Sequence, residues 1–450
     1  MEKTSIHGMW SSRTAFILAA TGSAVGLGNI WRFPYLASDN GGGAFVLVYL
    51  MCIAFVGLPI LIAEIMIGRH GRRSPITTLV ALTRETGAAK GWISIGWIGI
   101  VAGILILSFY SVVGGWTLHY SWLYLAQLFG GARITDPGAT FDALLANPWE
   151  LAGWHAVFMG VTVGVVGLGV EKGLERAVRF LMPVLFLTLV ALVGYGATTG
   201  HLGKAAAFLF QPDFSKINAG VMMAAMGQAF FSLSLGMCTM MTYGAYLPKD
   251  ISIPKTAGIV AVADTGIALL AGLAIFPIVI GFGINPNGGG PGLIFTSLPL
   301  AFDVMSGGVI YGLLFFGLLF VAAWTSSISL LEPATAFLVE RVGIARKNGS
   351  LLVAGLCWLV GLITVFSFNI WSHIRLLDRD LMGVIELVAN DTMLPLGGLL
   401  IALFAGWALK ETILREQLAG MPAGLFTAWR WMVRILAPLL VLMVLLNVVL

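Results

Sequence analysis

The feature that most constrains this chain is a series of apolar stretches, each long enough to cross a lipid bilayer as a helix. A spanning helix needs about 20 mostly apolar residues, and such stretches recur along all 450 residues. The pattern predicts an all-α membrane protein, with eleven transmembrane helices in a single domain over 1–450. We place them near 12–37, 42–69, 92–126, 153–170, 177–199, 217–247, 254–283, 305–340, 350–369, 384–408 and 428–449.

The composition excludes an ordinary soluble protein. Hydrophobic residues make up 58% of the chain and charged residues 10%, whereas soluble chains carry about a quarter charged residues. The net charge of +4 does not indicate nucleic-acid binding, because the basic residues lie between the apolar stretches. The 3 cysteines and 6 histidines are scattered, so we expect no disulfide, no clustered metal ligands and no organic cofactor. We also expect no cleaved signal peptide.

The distribution of basic residues predicts the orientation. With a cytoplasmic N-terminus, nineteen of the 25 Lys and Arg residues fall in inner segments and five in outer loops, while Arg32 lies inside the first span. Cytoplasmic loops ordinarily carry such an excess, and one missed early helix would abolish it. We therefore expect a multi-pass protein of the cell (inner) membrane.

Two spans contain residues that do not suit a continuous helix. Gly22, Gly26 and Gly28 lie within the first span, and each glycine costs about 1 kcal/mol in a helix relative to alanine. The sixth span contains the small and hydroxylic run 231–236. Close helix packing through small residues is an alternative explanation for the glycines. A broken helix would instead expose carbonyls that bind a cation and N–H groups that attract an anion.

The interrupted spans are five apart, which is the separation that two five-helix repeats would produce. Paired broken helices mark the binding site of transporters built from inverted repeats. We therefore predict a 5+5 inverted-repeat core with broken helices 1 and 6. Repeat one would cover about 12–199 and repeat two about 217–408, with an extra helix at about 428–449.

Five motifs resemble those of one transporter family. They are AVGLGNIWRFP at 24–34, NGGGAF at 40–45, QAFFSLS at 228–234, GPGLIF at 290–295 and TSS at 325–327. In order along nearly the whole chain, they are similar to segments of the neurotransmitter:sodium symporter family. The resemblance is closest to bacterial sodium-coupled carriers of hydrophobic amino acids. It implies a symporter that imports hydrophobic or aromatic L-amino acids by alternating access, although eleven helices depart from the family's twelve-helix form.

The resemblance implies two sodium sites made of oxygen ligands, which suit a hard cation. The first would use the Ala24 carbonyl, the Asn29 amide, Ser232, Asp264 and the substrate carboxylate. The second would use the carbonyls of Gly22, Val25 and Ala322 with the hydroxyls of Thr325 and Ser326. Bonding of these hydroxyls to the backbone of their own helix is the alternative.

The resemblance also narrows the substrate. Tyr110 matches the family tyrosine whose hydroxyl holds the substrate carboxylate, beside the N–H groups of Leu27 and Gly28. Gly26 stands where the family's monoamine carriers have an aspartate, which favours an α-amino acid. Apolar walls with a few hydroxyls suit a hydrophobic or aromatic side chain. The implied pocket comprises Ile106, Phe231, Ser234, Met237, Ser326, Ser329 and Leu330, with Ala24 and Ser232 facing both substrate and sodium.

Charged residues outside the predicted site resemble the family's outer gate. Arg32 would pair with Glu386, and Asp391 is a rival partner because the alignment is loose there. An ionisable group within a span is expensive enough to indicate function.

Two features resemble the family's inner release machinery. His7 stands near Trp10 and would face Glu340. The family has arginine at the position of His7. Because histidine, unlike arginine, titrates near neutral pH, this inner gate could be pH-sensitive. Gly173 and Pro183 match a spacing tied to local unwinding of the fifth helix, for which an ordinary proline kink is the alternative.

Asp264 affects whether transport is expected to depend on chloride. Tyr49, Gln228 and Ser232 match three of the four chloride ligands of chloride-dependent members, but the fourth position is Ala268 and offers no donor. Asp264 stands where the family normally has asparagine, and its carboxylate would balance sodium as chloride does. We therefore expect chloride-independent transport, with chloride binding beside a charged Asp264 as the alternative. A buried carboxylate without sodium is costly to keep charged, so proton countertransport follows as an expectation.

The sequence gives less support to other functional classes. A membrane enzyme would need a nucleophile–base pair or a metal cluster, and the sequence indicates neither. A channel would need a charged ring or a filter repeat. The closer alternative is an inverted-repeat transporter that moves a different solute or couples to protons.

Overall fold

The chain folds into a bundle of membrane-spanning helices. The computed structural model describes residues 8–283 and 293–449, whose regular structure is helical. In this part, nine helices are long and apolar enough to cross a bilayer, and a tenth span is a pair of helices bent by 49°. The sixth span consists of two shorter pieces and completes eleven crossings. The predicted all-α membrane protein is confirmed.

The spans follow one another through short loops and small surface helices. In chain order they are Arg13–Ala24 with Gly28–Asp39, Gly43–Gly71, Lys90–Leu128, Pro148–Val166, Val170–Thr198, Ala219–Ser232 with Thr239–Ala245, Ile253–Gly281, Gly308–Val342, Arg346–Ser367, Leu381–Ala408 and Ala423–Leu446. The largest shift from the predicted boundaries is at the start of the fifth span, predicted at 177. The helix begins at 170, and the prediction missed its first turn because that turn carries charged residues, which lower its hydropathy.

The first break follows Ala24. Val25 has an extended backbone with φ −74° and ψ 109°, so the helix cannot continue through it. Helical structure resumes in a π-helical turn at Gly28–Arg32, in a different direction. The predicted interruption of the first span is therefore a true break rather than a site of close packing alone.

The second break spans 233–238. Ser234, Gly236 and Cys238 all have positive φ there, at 55°, 79° and 59°. Glu64, which is buried in the second span, accepts a hydrogen bond from the Gly236 N–H at 2.7 Å. A Cβ on Gly236 would lie 2.2 Å from the Leu394 carbonyl oxygen, so only glycine allows the tenth span to pack here.

The lengths of the helices repeat after five spans. The second and seventh spans both have 29 residues, and the α-helical parts of the third and eighth both have 35. The fourth and ninth have 19 and 22 residues, and the fifth and tenth have 29 and 28. Because five is odd, the second set crosses in the opposite sense to the first. The predicted 5+5 inverted-repeat core with broken helices 1 and 6 is confirmed.

Candidate functional site

The two breaks face each other at the centre of the bundle, between the third and eighth spans. A cavity of about 20 Å³ lies between them, which is room for little more than one water molecule. All but three of the predicted substrate residues line it. The lining consists of Ser23, Ala24, Gly26, Gly28, Ile106, Tyr110, Phe231, Ser234, Met237, Ser326 and Leu330.

The three predicted substrate residues that do not line the cavity lie at its edge. The Leu27 N–H donates to the Tyr110 hydroxyl at 3.0 Å. Ser329 donates to the Ser326 carbonyl at 2.7 Å, and Ser232 is bonded to a tyrosine of the second span. Ser23, which the sequence did not indicate, supplies one wall of the cavity instead.

Two glycines of the first break are required by close contacts. A Cβ on Gly26 would lie 2.3 Å from the Ser326 hydroxyl and 2.6 Å from the Tyr110 hydroxyl. A Cβ on Gly28 would lie 2.8 Å from the Phe231 ring. An aspartate in place of Gly26 would therefore displace both hydroxyls.

The predicted ligands of the first sodium site come together. Asn29 donates through Nδ2 to Asp264 Oδ1 at 2.7 Å. Tyr49 Oη lies 3.1 Å from Ser232 Oγ and 3.5 Å from Asp264 Oδ2. These four side chains are fully buried, and Ala24 ends the first helix at the adjoining break. A buried carboxylate, amide and hydroxyl form the kind of oxygen set that binds a hard cation.

The predicted second sodium site joins the eighth span to the first break. Ser326 Oγ donates across this interface to the Val25 carbonyl at 3.2 Å. Thr325 Oγ1 donates within its own helix to the Ala322 carbonyl at 3.0 Å. Both bonds connect predicted ligands. The bond of Thr325 is also the one expected of an ordinary helical threonine, whereas the bond of Ser326 joins two different spans.

The predicted outer-gate arginine contacts the cavity wall. The Arg32 guanidinium lies 5.0 Å from the centre of the Phe231 ring and donates to Gln228 Oε1 at 3.4 Å. Gln228 in turn donates to the Gly28 carbonyl at 2.7 Å. Glu386 lies within electrostatic reach of Arg32, as does Asp391. Arg32 therefore lies on Phe231 instead of forming a direct ion pair with Glu386.

Trp10, which the resemblance places at the inner gate, packs where the first span begins. Its ring is buried, and its Nε1 donates to the Tyr243 carbonyl at 3.0 Å. Its backbone N–H donates to the Tyr246 carbonyl, so the start of the first span is attached to the second half of the sixth. Glu340 accepts hydrogen bonds from the Ser74 N–H and hydroxyl, at 2.8 and 2.5 Å. It therefore anchors the loop that follows the second span.

A second contact near the start of the first span was not predicted from the sequence. His7, the proposed partner of Glu340, lies outside the described residues. Ser11, four residues later, donates through its N–H to Glu175 Oε2 at 3.0 Å. Arg179 completes the group with an ion pair to Glu175 at 2.6 Å. This contact ties the first span to the beginning of the fifth.

A buried ion pair was also missed. Glu332 of the eighth span pairs with Arg346, which begins the ninth, and accepts a hydrogen bond from the Tyr246 hydroxyl at 2.7 Å. A carboxylate inside an apolar span is a signal that the sequence does carry, because it is costly there without a partner. Glu64 and Glu332 both meet that criterion.

Gly173 and Pro183 both lie in helical parts of the fifth span. Val170–Glu175 forms a π-helical turn, and Pro183 lies inside the α-helix that follows. A Cβ on Gly173 would lie 2.1 Å from the Val165 carbonyl oxygen, so the glycine permits a tight turn between the fourth and fifth spans. A Cβ on Gly22 would lie 3.1 Å from Met182 Sδ. The fifth span thus packs on the first beside the predicted second sodium site.

Comparison with known proteins identifies the family. Residues 7–130 and 142–450 match the model of the sodium:neurotransmitter symporter family. The chain is 36% identical to the uncharacterized sodium-dependent transporter YhdH of Bacillus subtilis, over 98% of this chain and 97% of that protein. A sodium- and chloride-dependent taurine transporter of Bos taurus is 26% identical over 79% of this chain and 65% of its own.

A solved structure has the same fold. The crystal structure of MhsT in complex with L-phenylalanine has a TM-score of 0.91 and 40% sequence identity, covering 98% of this chain and 99% of that one. The chain therefore belongs to the sodium:neurotransmitter symporter family, whose members are transporters and not enzymes.

Proposed function

We propose that the protein imports hydrophobic or aromatic L-amino acids by sodium-coupled alternating access. The observation that carries this proposal is the first break, where the Leu27 N–H and the Tyr110 hydroxyl meet beside Gly26. An N–H group at a broken helix and a tyrosine hydroxyl can both donate to a carboxylate. The space at Gly26 has no room for a fixed carboxylate, so the substrate must bring its own.

The walls of the cavity favour an apolar side chain. Ile106, Phe231, Met237 and Leu330 line it with only a few hydroxyls among them. The related MhsT binds L-phenylalanine in its crystal structure, which supports a substrate of that class. The present cavity is too small for such a side chain, so binding requires Phe231 or Met237 to move. Methionine is flexible enough to make such room.

Charge balance supports sodium coupling without chloride. We propose that two sodium ions bind, one at Asp264 and Asn29 and one beside Ser326. The related taurine transporter of Bos taurus is sodium- and chloride-dependent, whereas here the Asp264 carboxylate would supply a fixed negative charge beside sodium. We propose further that the protein lies in the cell (inner) membrane with its N-terminus in the cytoplasm, as the excess of basic inner residues indicates.

The direct test is uptake into proteoliposomes. Radiolabelled leucine, phenylalanine and tryptophan should accumulate only with an inward sodium gradient. Accumulation that is equal with sodium and with potassium, or that follows a proton gradient alone, would refute sodium coupling.

Replacing Tyr110 by phenylalanine should weaken amino-acid binding. The change removes one hydrogen bond to a charged group, about 1.5–3 kcal/mol or roughly 10- to 150-fold in affinity. Scintillation proximity binding of the labelled amino acid measures the change, and dopamine and serotonin should not compete. Tyr120→Phe is the matched control, because the Tyr120 hydroxyl donates to Phe295 away from the cavity. Equal losses in both variants would contradict the proposed role of Tyr110.

Replacing Thr325 by alanine should sharply reduce apparent sodium affinity. The variant loses one oxygen of the second sodium site while keeping the cavity walls. Sodium-dependent binding of a fixed amino-acid concentration reports the change. Ser327→Ala, two residues along the same helix, removes a hydroxyl that bonds to Thr162 and should leave sodium affinity unchanged. Unchanged sodium affinity in Thr325→Ala would mean that this threonine bonds only to its own helix.

Inner release should involve the fifth span. We propose that loss of the second sodium weakens the packing of Met182 on Gly22 and lets the segment between Gly173 and Pro183 unwind. Hydrogen exchange over 174–182 should then rise when sodium is removed. Glu175→Gln, which weakens the contact to Ser11, should raise exchange even with sodium present. Equal protection in both states would leave Pro183 as an ordinary kink.

Transport should be independent of chloride, and this property should depend on Asp264. Replacing chloride by gluconate should leave uptake intact in the native protein. Asp264→Asn removes the fixed negative charge, so uptake should weaken or respond to chloride. Because a buried carboxylate that has lost sodium favours a proton, the return step should also depend on internal pH. Native uptake that fails in gluconate would overturn this interpretation of Asp264.

A further inference from the structure

A second cavity lies between the end of the tenth span and the beginning of the eleventh. It measures about 230 Å³ and lies outside the substrate site. Counting crossings puts it at the membrane face where the first span begins. Its lining is basic and aromatic, with Arg415, Arg430 and Arg434 interleaved with Trp407, Phe426 and Trp431.

The charges of this pocket are not balanced internally. Glu411 accepts a hydrogen bond from Arg415 Nε at 2.8 Å and forms an ion pair with Arg430. The hydrogen bonds from Arg430 and Arg415 lower the pKa of Glu411, so it stays ionised at neutral pH. Glu411 thus contacts two of the three guanidinium groups, while Arg434 bonds to a backbone carbonyl and lies over an aromatic ring. Among the described residues, Arg430 Nε has no hydrogen-bond partner although it is buried.

Arg434 is held in place before any ligand binds. Its Nε donates to the Gly406 carbonyl at 2.6 Å, and its guanidinium lies 4.9 Å from the centre of the Trp407 ring. Trp407 Nε1 donates back to the Arg434 carbonyl at 3.2 Å. A Cβ on Gly406 would lie 2.8 Å from Arg434 Cγ, so glycine allows the two spans to meet here. A guanidinium fixed in this way can form two parallel bonds to a phosphate.

The pocket opens at the level of the lipid headgroups. Trp407 and Trp431 are 62% and 61% exposed, and exposed tryptophans beside the end of a span lie at the membrane–water interface. Basic pockets between spans at this depth suit the headgroups of anionic lipids. We propose that the pocket binds the phosphate of an anionic phospholipid whose acyl chains lie along the tenth and eleventh spans.

Native mass spectrometry of the purified full-length protein tests this site. Phosphatidylglycerol and phosphatidylcholine are titrated separately, and each lipid adduct is counted. Phosphatidylglycerol should bind more tightly. Arg434→Gln should weaken it about fivefold, since one basic residue near an anionic lipid contributes about that factor. Glu411→Gln removes the internal counter-charge and should strengthen it. Arg341→Gln is the matched control, because Arg341 is exposed at the end of the eighth span, at the same membrane face.

The opposite effects expected of Arg434→Gln and Glu411→Gln on lipid binding distinguish a change in the binding site from damage to the fold. If both Arg434→Gln and Glu411→Gln weaken phosphatidylglycerol binding and lower the thermal midpoint in detergent, the cluster is structural and the proposal fails. Equal binding of the two lipids would also overturn it. Competition by millimolar inorganic phosphate that removes the lipid adduct completely would identify a site for a soluble anion instead. If the phosphatidylglycerol adduct is retained in millimolar phosphate, the result supports a lipid site.

Discussion

The fold depends on satisfying broken backbone at the centre of a membrane. Lipid offers no hydrogen bonds, so each N–H and carbonyl that a broken helix releases needs a partner inside the protein. Glu64 meets this need at Gly236 in the sixth span. In the first span, Gln228 donates to the Gly28 carbonyl. A carboxylate inside the second span is therefore a structural requirement of the second break, and helix packing around both breaks follows from these bonds.

The same bonds bear on the proposed mechanism. The Asn29–Asp264 and Ser326–Val25 hydrogen bonds join groups that we propose as sodium ligands. An entering sodium ion would replace the Ser326–Val25 bond and would compete for Asp264 Oδ1 and for Asn29 Oδ1, which accepts from the Gly26 N–H. It would exchange hydrogen-bond partners rather than order free groups, and such an exchange has a small net free energy. Because the substrate carboxylate would complete the first sodium shell, each ligand improves the site for the other. Such mutual dependence is what coupling between sodium and substrate requires.

The parts of the structure that local patterns encode could be predicted from the sequence. Hydropathy identified the spans, and the glycines of the first span together with the small run in the sixth identified both breaks. The contacts at the start of the first span could not be predicted. Ser11 and Glu175 are 164 residues apart, and Trp10 and Tyr243 are 233 apart, so no local pattern records either pair. The same limit applies to Arg32, whose contact with Phe231 depends on a side-chain position rather than on a motif.

Different interactions hold the two ends of the proposed site. On one side, the half-buried Arg32 rests on the Phe231 ring and donates to Gln228, and such a cation–π contact is worth about 0.5–2 kcal/mol. On the other, Trp10 is buried and held by two hydrogen bonds, each worth about 0.5–1.5 kcal/mol in addition to the apolar area that the ring buries. The Ser11–Glu175 contact adds to these interactions. We therefore expect opening toward the Arg32 side to be the easier motion. A ligand can shift such an equilibrium only by its differential affinity for the two states, so in the proposed cycle the bound sodium and amino acid must supply the difference before the Trp10 side opens.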